Sequence, residues 1–375
     1  MSRLDELIQE LCPNGVEYKK LGDAVSIERG KRLVRDQLSA DSGSGYPVFQ
    51  NSMTPLGYHT DYNYPENTAF IIGAGAAGEI GFSAVKFWAA DDCYPMVCGE
   101  DISSRYLYHA LLRLQPQIKS RVRKASIPRL SRTAIEQFQI PVPPLPVQSE
   151  IVRILDNFTE LTAELTAELT ARKKQYEFYR DKLLTFGDVR GGATSDVVWR
   201  TLGEVCDVVT GGEPPADCIK GCVKDPEHAY PVWGNGKEVY GYSGTYKIDK
   251  AAAVISSIGA NTGAVYFREA FFTPIIRLKV VMPKNNEVNA KFLFYALSAT
   301  EIKSKSSSVP NMNASEIKAI KIPVPPIEKQ ERIVSILDRF DSLCNDISSG
   351  IPAEIEARQK QYEFYRDRLL TFESR

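Results

Sequence analysis

The residues best placed to do chemistry in this sequence are cations. Lys119, Arg121, Arg123, Lys124, Arg129 and Arg132 fall in a stretch that contains no acid. Residues 29–35 add Arg29, Lys31, Arg32 and Arg35. In the second half of the chain Lys303, Lys305, Asn311 and Asn313 hold the matching places, and Asn235, Lys237 and Asn261 stand in glycine-rich turns. Arg and Lys neutralise phosphates, and Arg, Lys and Asn present donors that match base edges. A lone run of charge is usually a solvated face. An acid-free stretch of six cations in a chain of net charge −1 favours contact with DNA instead.

Other constellations are weaker. GAGAAG (73–78) fits the G-x-G-x-x-G spacing of nucleotide-binding loops, but its counterpart SIGANTG (257–263) breaks that spacing and no helical pattern follows either. Tight-turn glycines are the better account. Cys218, Cys222 and His228, with Cys206 upstream, could begin a zinc site, yet the first half has nothing equivalent and ordinary thiols are expected. His59, His109 and His228 occupy unrelated places. Nucleophile-elbow, phosphate-loop, zinc-protease and amino-methyltransferase signatures are absent, and no Pro-Asp precedes the Glu-x-Lys pairs at Glu17, Glu301 and Glu316. The sequence offers no catalytic constellation and no metal site, so no enzyme is expected.

The elements that must position the cations come in duplicate. RKKQYEFYRDKLLTF (172–186) returns as RQKQYEFYRDRLLTF (358–372), and IPVPPLPVQSEIVRILDNF (140–158) returns as IPVPPIEKQERIVSILDRF (322–340). Fainter matches join Leu21-Gly22-Asp23 to Leu202-Gly203-Glu204 and Tyr46-Pro47-Val48-Phe49 to Tyr230-Pro231-Val232-Trp233. Each half is therefore a β-rich globular part followed by a helical segment. Apolar runs broken by glycine predict strands and turns. A short helix is expected at YLYHALL and at FLFYALS, and a loop, short helix and strand before each IPVPP.

Ile151, Leu155, Phe158, Leu161, Leu165 and Leu169 recur at helical spacing. A helix of 35–40 residues would span roughly 55 Å, and two such rods can bury their stripes against each other. The second copy carries four extra residues around SSGIPAE, which predicts a break near Gly350-Ile351-Pro352. The organisation expected is α+β: two β-rich globular parts, each followed by a long helical segment. The segments read 1–148 (domain), 149–187 (helix), 188–197 (linker), 198–330 (domain) and 331–375 (helix). A chain of 375 residues exceeds one core and implies two or more domains, no apolar run is long enough to span a membrane, and seven cysteines without a disulfide framework suit the cytoplasm.

The two heads keep their frame and change their loops. Gly30-Lys31-Arg32-Leu33 faces Gly211-Gly212-Glu213-Pro214, and Ile127-Pro128-Arg129-Leu130 faces Val309-Pro310-Asn311-Met312. Two readers of different short sequences would look like this. The nearly identical helix ends suit a common partner, and Tyr176, Phe178, Tyr179, Tyr362, Phe364 and Tyr365 are expected to pack there or dock it.

The N-terminal LIQELCPNGVEYKKLGD, the paired IPVPP…ILD blocks and the paired YEFYRD(K/R)LLTF ends together resemble the specificity (S) subunit of type I restriction–modification systems, over essentially the whole chain. The resemblance implies two β-rich target-recognition domains separated by two long antiparallel helices, each domain reading one half of a split DNA site, with the helix length setting the unspecified spacer. It implies two modification (methyltransferase) subunits on the conserved helices, joined by restriction (translocase/nuclease) subunits. S-adenosylmethionine, ATP and Mg would then belong to those partners, with no cofactor on this chain. By the same analogy the loops around Lys31–Arg32, Asn51, Arg121–Arg132 and Lys303–Asn313 are the regions expected to meet DNA. The alternative of another class is a duplicated protein-interaction scaffold whose basic loops are incidental.

Overall fold

The computed structural model describes residues 3–186, 196–221, 224–259, 261–300, 302, 312–346 and 348–375. The helices in chain order are α1 (Arg3–Leu11), α2 (Leu21–Ala24), α3 (Ser104–Ser120), α4 (Arg132–Glu136), α5 (Leu145–Leu184), α6 (Leu202–Val205), α7 (Ala290–Ser298), α8 (Ala314–Lys318), α9 (Ile327–Asn345) and α10 (Ile351–Leu369). The chain forms two compact units. One joins Met1–Thr166 to Glu354–Arg375, and the other is Ala167–Ala353. Both boundaries fall within helices, α5 and α10. Each unit therefore holds one β-rich head, the start of its own helical segment and the end of the other repeat's.

In the first unit Val25–Ile27, Cys93–Cys98, Thr68–Ile72 and Ile80–Ser83 lie side by side in an antiparallel sheet. A second sheet orders Gly57–His59, Tyr46–Phe49 and Trp88–Ala89, the last pair parallel. Thr68–Ile72 is buried throughout because it separates two cores. Ala69 and Ile71 face the core under α3, while Phe70 and Ile72 join Phe49 and Phe87 on the other side, as the two-residue period of a strand requires. The second unit repeats the design. Ala253 and Ile255 face one core and Ala252 and Val254 the other. The strand expectations hold in both heads.

A small ladder closes each head. Tyr18–Lys20 pairs with Gln139–Pro141, and Val198–Thr201 pairs with Lys321–Val324. In the first unit Val16 also exchanges hydrogen bonds with Glu373 and Arg375 (2.8 and 3.1 Å), and the Tyr18 hydroxyl reaches the Phe372 carbonyl at 3.0 Å.

One expectation is refined and another holds. The helix at YLYHALL is not short: α3 runs 17 residues, through Pro116. Leu107, Leu111, Leu114 and Ile118 keep the three-to-four spacing across the proline and enter the core, and that packing outweighs the missing amide. The break in the second helical segment lies where expected, between Asn345 and Ile351. A β-carbon on Gly350 would meet the Ser342, Asp346 and Leu343 carbonyls at 2.6–2.8 Å, so only glycine allows the chain to fold back on the end of α9. The Asp346 carboxylate, held down at about 2 by hydrogen bonds from Ser348 and Ser349, fixes that turn.

By contrast α5 is continuous for 40 residues, about 60 Å. In the second unit its end runs antiparallel to α9. Lys329 sits over the Phe186 ring, and further along Phe340 stacks on Tyr179.

Candidate nucleic-acid interface

In the first head the glycine turn is the hub of one edge. Gly75 and Gly78 have φ of 76° and 85°, in the left-handed region. The Gly75 amide donates to Pro128 (3.2 Å), Leu130 donates back to Gly73 (2.8 Å), and Ala76 donates to the Asn51 carbonyl (2.9 Å). Arg123 and Arg129 exchange backbone bonds at 2.8 and 3.2 Å, so residues 123–129 form a small hairpin beside the turn. The loop at Asp91–Asp92 ties in the remaining segment. Gly73 donates to the Asp92 carbonyl, Arg29 Nε to the Asp91 carbonyl at 3.0 Å, and Lys31 to Ala89. The fold thus gathers Arg29, Lys31, Arg32, Asn51, Arg121, Arg123, Lys124 and Arg129 on linked, exposed loops.

Not every cation of the acid-free stretch keeps a free charge. Lys119 Nζ lies 2.8 Å from Glu79, and Arg132 Nε 2.7 Å from Glu136. Glu79 comes from a turn distant in the chain, whereas Glu136 stands one helical turn beyond Arg132, just past the acid-free stretch. Arg121, Arg123, Lys124 and Arg129 have no ion pair among the described residues.

The second head builds the same edge from different side chains. Gly259 and Gly263 take positive φ (80° and 91°), and Met312 donates to Ser257 as Leu130 does to Gly73. The Asn235 side chain accepts from the Ser257 amide at 2.9 Å and donates to the Ile276 carbonyl, so it holds three loops together. Asn313 caps α8: its carboxamide accepts from the Glu316 amide at 2.9 Å, completing a capping box. Lys237 and Asn261 are exposed beside these turns. Lys303, Lys305 and Asn311 lie outside the described residues. Reading by composition missed two cations. The Arg268 guanidinium rests 3.5 Å over the Trp233 ring, is pushed down to about 10 by burial, and donates to the Gly236 and Lys237 carbonyls. Arg277 stands exposed on the turn beside Asn235.

The helix aromatics differ in their surroundings. Tyr176 and Tyr179 pack on Phe340, Tyr365 stacks on Phe158, and Tyr362 meets His109. Phe178 and Phe364, equivalent in the repeat, point outward at 62% and 61% exposure. Each touches its neighbouring tyrosine edge-on, and Lys182 Nζ lies 5.9 Å from the centroid of the Phe178 ring.

The cysteine and histidine residues are dispersed. Cys206 is buried in a strand, His228 Nδ1 lies 3.1 Å from Asp225, and Cys222 is outside the described residues. No cluster able to hold a metal ion occurs among the described residues. No described helix is long and apolar enough to cross a membrane.

Two heads with a common frame and unlike exposed loops, each on a helical stem, define a paired recognition protein. The family model for the type I restriction modification DNA specificity domain matches twice, at residues 13–172 and 194–357, and the chain belongs to that family. A Mycoplasma pneumoniae protein that carries the name type I specificity subunit is 31% identical across 93% of this chain and 96% of its own length. The specificity subunit of the Escherichia coli EcoR124I/EcoR124II restriction enzyme is 35% identical over 63% of this chain and 64% of its own. A solved S subunit from M. genitalium has the same fold, with a TM-score of 0.69 at 18% identity and coverage of 96% and 97%. A chain from a structural study of type I assembly and conformational transition follows at 0.59 and 16%, covering 96% and 98%. This is a type I specificity subunit with two recognition domains, a component for DNA specificity and not itself an enzyme, and the scaffold alternative is not favoured.

Proposed function

We propose that the two edges each read one half of a split DNA site. The observation that carries this is the matched architecture of the edges. The same backbone bonds recur at Leu130/Gly73 and Met312/Ser257, while the exposed cations around the first, Arg123, Lys124 and Arg129, give way to others such as Lys237 and Arg277 around the second. Frame conserved and surface changed is what two different half-sites demand. On the first edge Arg29, Lys31, Arg32, Asn51, Arg121, Arg123, Lys124 and Arg129 would contact phosphates and bases. On the second, Lys237 and Asn261 would, with Lys303, Lys305 and Asn311 carried as sequence expectations. Asn235, Asn313 and Arg132 support loops or caps more than they reach DNA.

Two methyltransferase subunits would dock on the helical segments, one at each exposed phenylalanine, Phe178 and Phe364. Restriction subunits would join through them. S-adenosylmethionine, ATP and Mg would sit on those partners, and the assembly would work in the cytoplasm on duplex DNA. Gel-shift of the assembled complex on genomic fragments tests the reading. Sequence-selective retention is expected, and uniform retention would overturn it.

A further inference from the structure

A strained stretch of backbone in the second head lies on its proposed reading edge. Ile276 and Arg277 are consecutive non-glycine residues at φ 54° and 60°. A β-branched residue is among the least suited to that region, where glycine or asparagine would sit without cost. The turn is held there from all sides. Ile276 donates to the Gly212 carbonyl (2.9 Å) and Arg277 to Gly211 (3.1 Å). Asn235 donates to the Ile276 carbonyl, and Ser257 Oγ donates to the Arg277 carbonyl at 2.7 Å. Two of these supports, Gly211-Gly212 and Asn235-Ser257, are the loops that elsewhere build the edge. Strain held this firmly at an exposed position points to a functional demand on the side chains.

The turn presents Ile276, 44% exposed, and Arg277, exposed and without an ion pair or side-chain hydrogen bond among the described residues. Two residues on, Lys279 is nearly buried, with its Nζ on the Thr210 hydroxyl at 3.0 Å. Burial, and then the neighbouring Arg277, lower its pKa, so two cations crowd one place. The first head differs here. Its equivalent turn is Asp91–Asp92, whose residues take no positive φ and whose carbonyls serve Arg29 and Gly73.

Resting on the two-edge reading above, we propose that Ile276–Arg277 is a preformed finger of the second recognition domain, and that Arg277 reads a guanine in the half-site which that domain recognises. A guanidinium offers two parallel donors to the O6 and N7 acceptors of guanine in the major groove, and a turn fixed by its neighbours aims it without loss of loop freedom. Ile276 supplies an apolar contact beside it.

The test uses the complete methyltransferase assembly and a plasmid library with both half-sites randomised, reading modified positions by sequencing. With the native chain two defined half-sites are expected. Arg277→Ala should abolish the preference for guanine at one position of one half-site by roughly ten- to hundred-fold. The other half-site should not change. Arg277→Lys should restore charge and bulk affinity but only part of the selectivity. Ile276→Gly, which relieves the turn, should raise the melting temperature while loosening the same position. An unchanged motif with Arg277→Ala, or a uniform loss of affinity at every position, would overturn the proposal. A native assembly with no sequence preference at all would instead overturn the two-edge reading beneath it. A loss of the folded state in Arg277→Ala, seen by thermal melting, would show that the residue serves the fold and equally count against it.

Discussion

His109 Nε2 lies 2.8 Å from the Asp156 carboxylate, while its Nδ1 lies 2.9 Å from the Tyr362 hydroxyl. The imidazole is fully buried, so the neutral form is favoured: Nε2–H donates to the acid and Nδ1 accepts from the tyrosine. Through this one side chain the head helix α3, the start of α5 and the end of α10 share a polar junction. In the second unit Tyr295 stands in its place and donates to Asp338 at 2.5 Å.

The junction predicts that the first unit loses stability in mild acid, above the pH at which carboxylates protonate. Burial, against the pull of Asp156, lowers the His109 pKa below its ordinary value. At Asp156 burial works to raise the pKa, but the bonds from His109 and Arg105 outweigh it and leave the carboxyl lowered. Both folded-state values are depressed, so both groups stabilise fully above their unfolded pKa values and lose that stabilisation as pH falls. As pH falls through the ordinary histidine value of about 6.5 and below it, before the carboxylates protonate, the histidine dominates. Thermal melting should show the first unit losing stability across that window, and His109→Tyr, which imitates the second unit, should flatten the profile. His109→Ala should cost about 2–4 kcal/mol at neutral pH through lost packing and unpaired neighbours.

A second prediction concerns a glutamine that both repeats bury completely. Gln148 donates to the Asp101 and Pro143 carbonyls and accepts from the Ser103 amide. Gln330 donates to Glu287 and Pro325 and accepts from Asn289, all six bonds at 2.7–2.9 Å. Each clamps the IPVPP turn to the start of a head helix. Gln148→Leu or Gln330→Leu removes the side-chain partner of three backbone groups, one of them in a buried bond, and denaturant melts should show a loss of about 1–3 kcal/mol in the affected unit.

The outward phenylalanines predict a defect in assembly without one in folding. Phe178→Asp and Phe364→Asp alter side chains that are mostly solvated, so melting should change by less than about 1 kcal/mol. Size-exclusion chromatography with the modification subunit should show one bound copy missing for each substitution and both missing in the double variant. Retention of both copies by the double variant would place docking elsewhere.

Excising four residues between Leu161 and Ala171 removes one helical turn, about 6 Å. At about 3.4 Å per base pair the spacer should shorten by one or two positions while both half-sites keep their sequence. Methylation mapping reads this directly, and a changed half-site would contradict the helix role.

The free cations of the first edge predict a salt signature. Replacing Arg123 and Arg129 by Ala should lower the slope of log affinity against log salt by about one for each phosphate no longer neutralised, measured by fluorescence anisotropy.

Repetition made much of this legible in advance. The duplicated blocks announced two heads and two helical segments, and the four extra residues around Gly350 located the break in the second, because backbone geometry and helical period are local properties. The glycine turns were readable for the same reason. Partnership across the fold was not local. Nothing near Lys119 in the chain shows that Glu79 neutralises it, and nothing near Asn235 shows that it bridges loops as far away as Ile276. Arg277 and Arg268 belong to no charge run, so composition passed over them, and only the fold sets them on an edge or over a tryptophan. The sequence alone determined the architecture, since hydrophobic period and internal repeats act through nearest neighbours. The tertiary structure decided which charges remain free and which unit each helix end completes, since these depend on residues brought together from positions far apart in the chain.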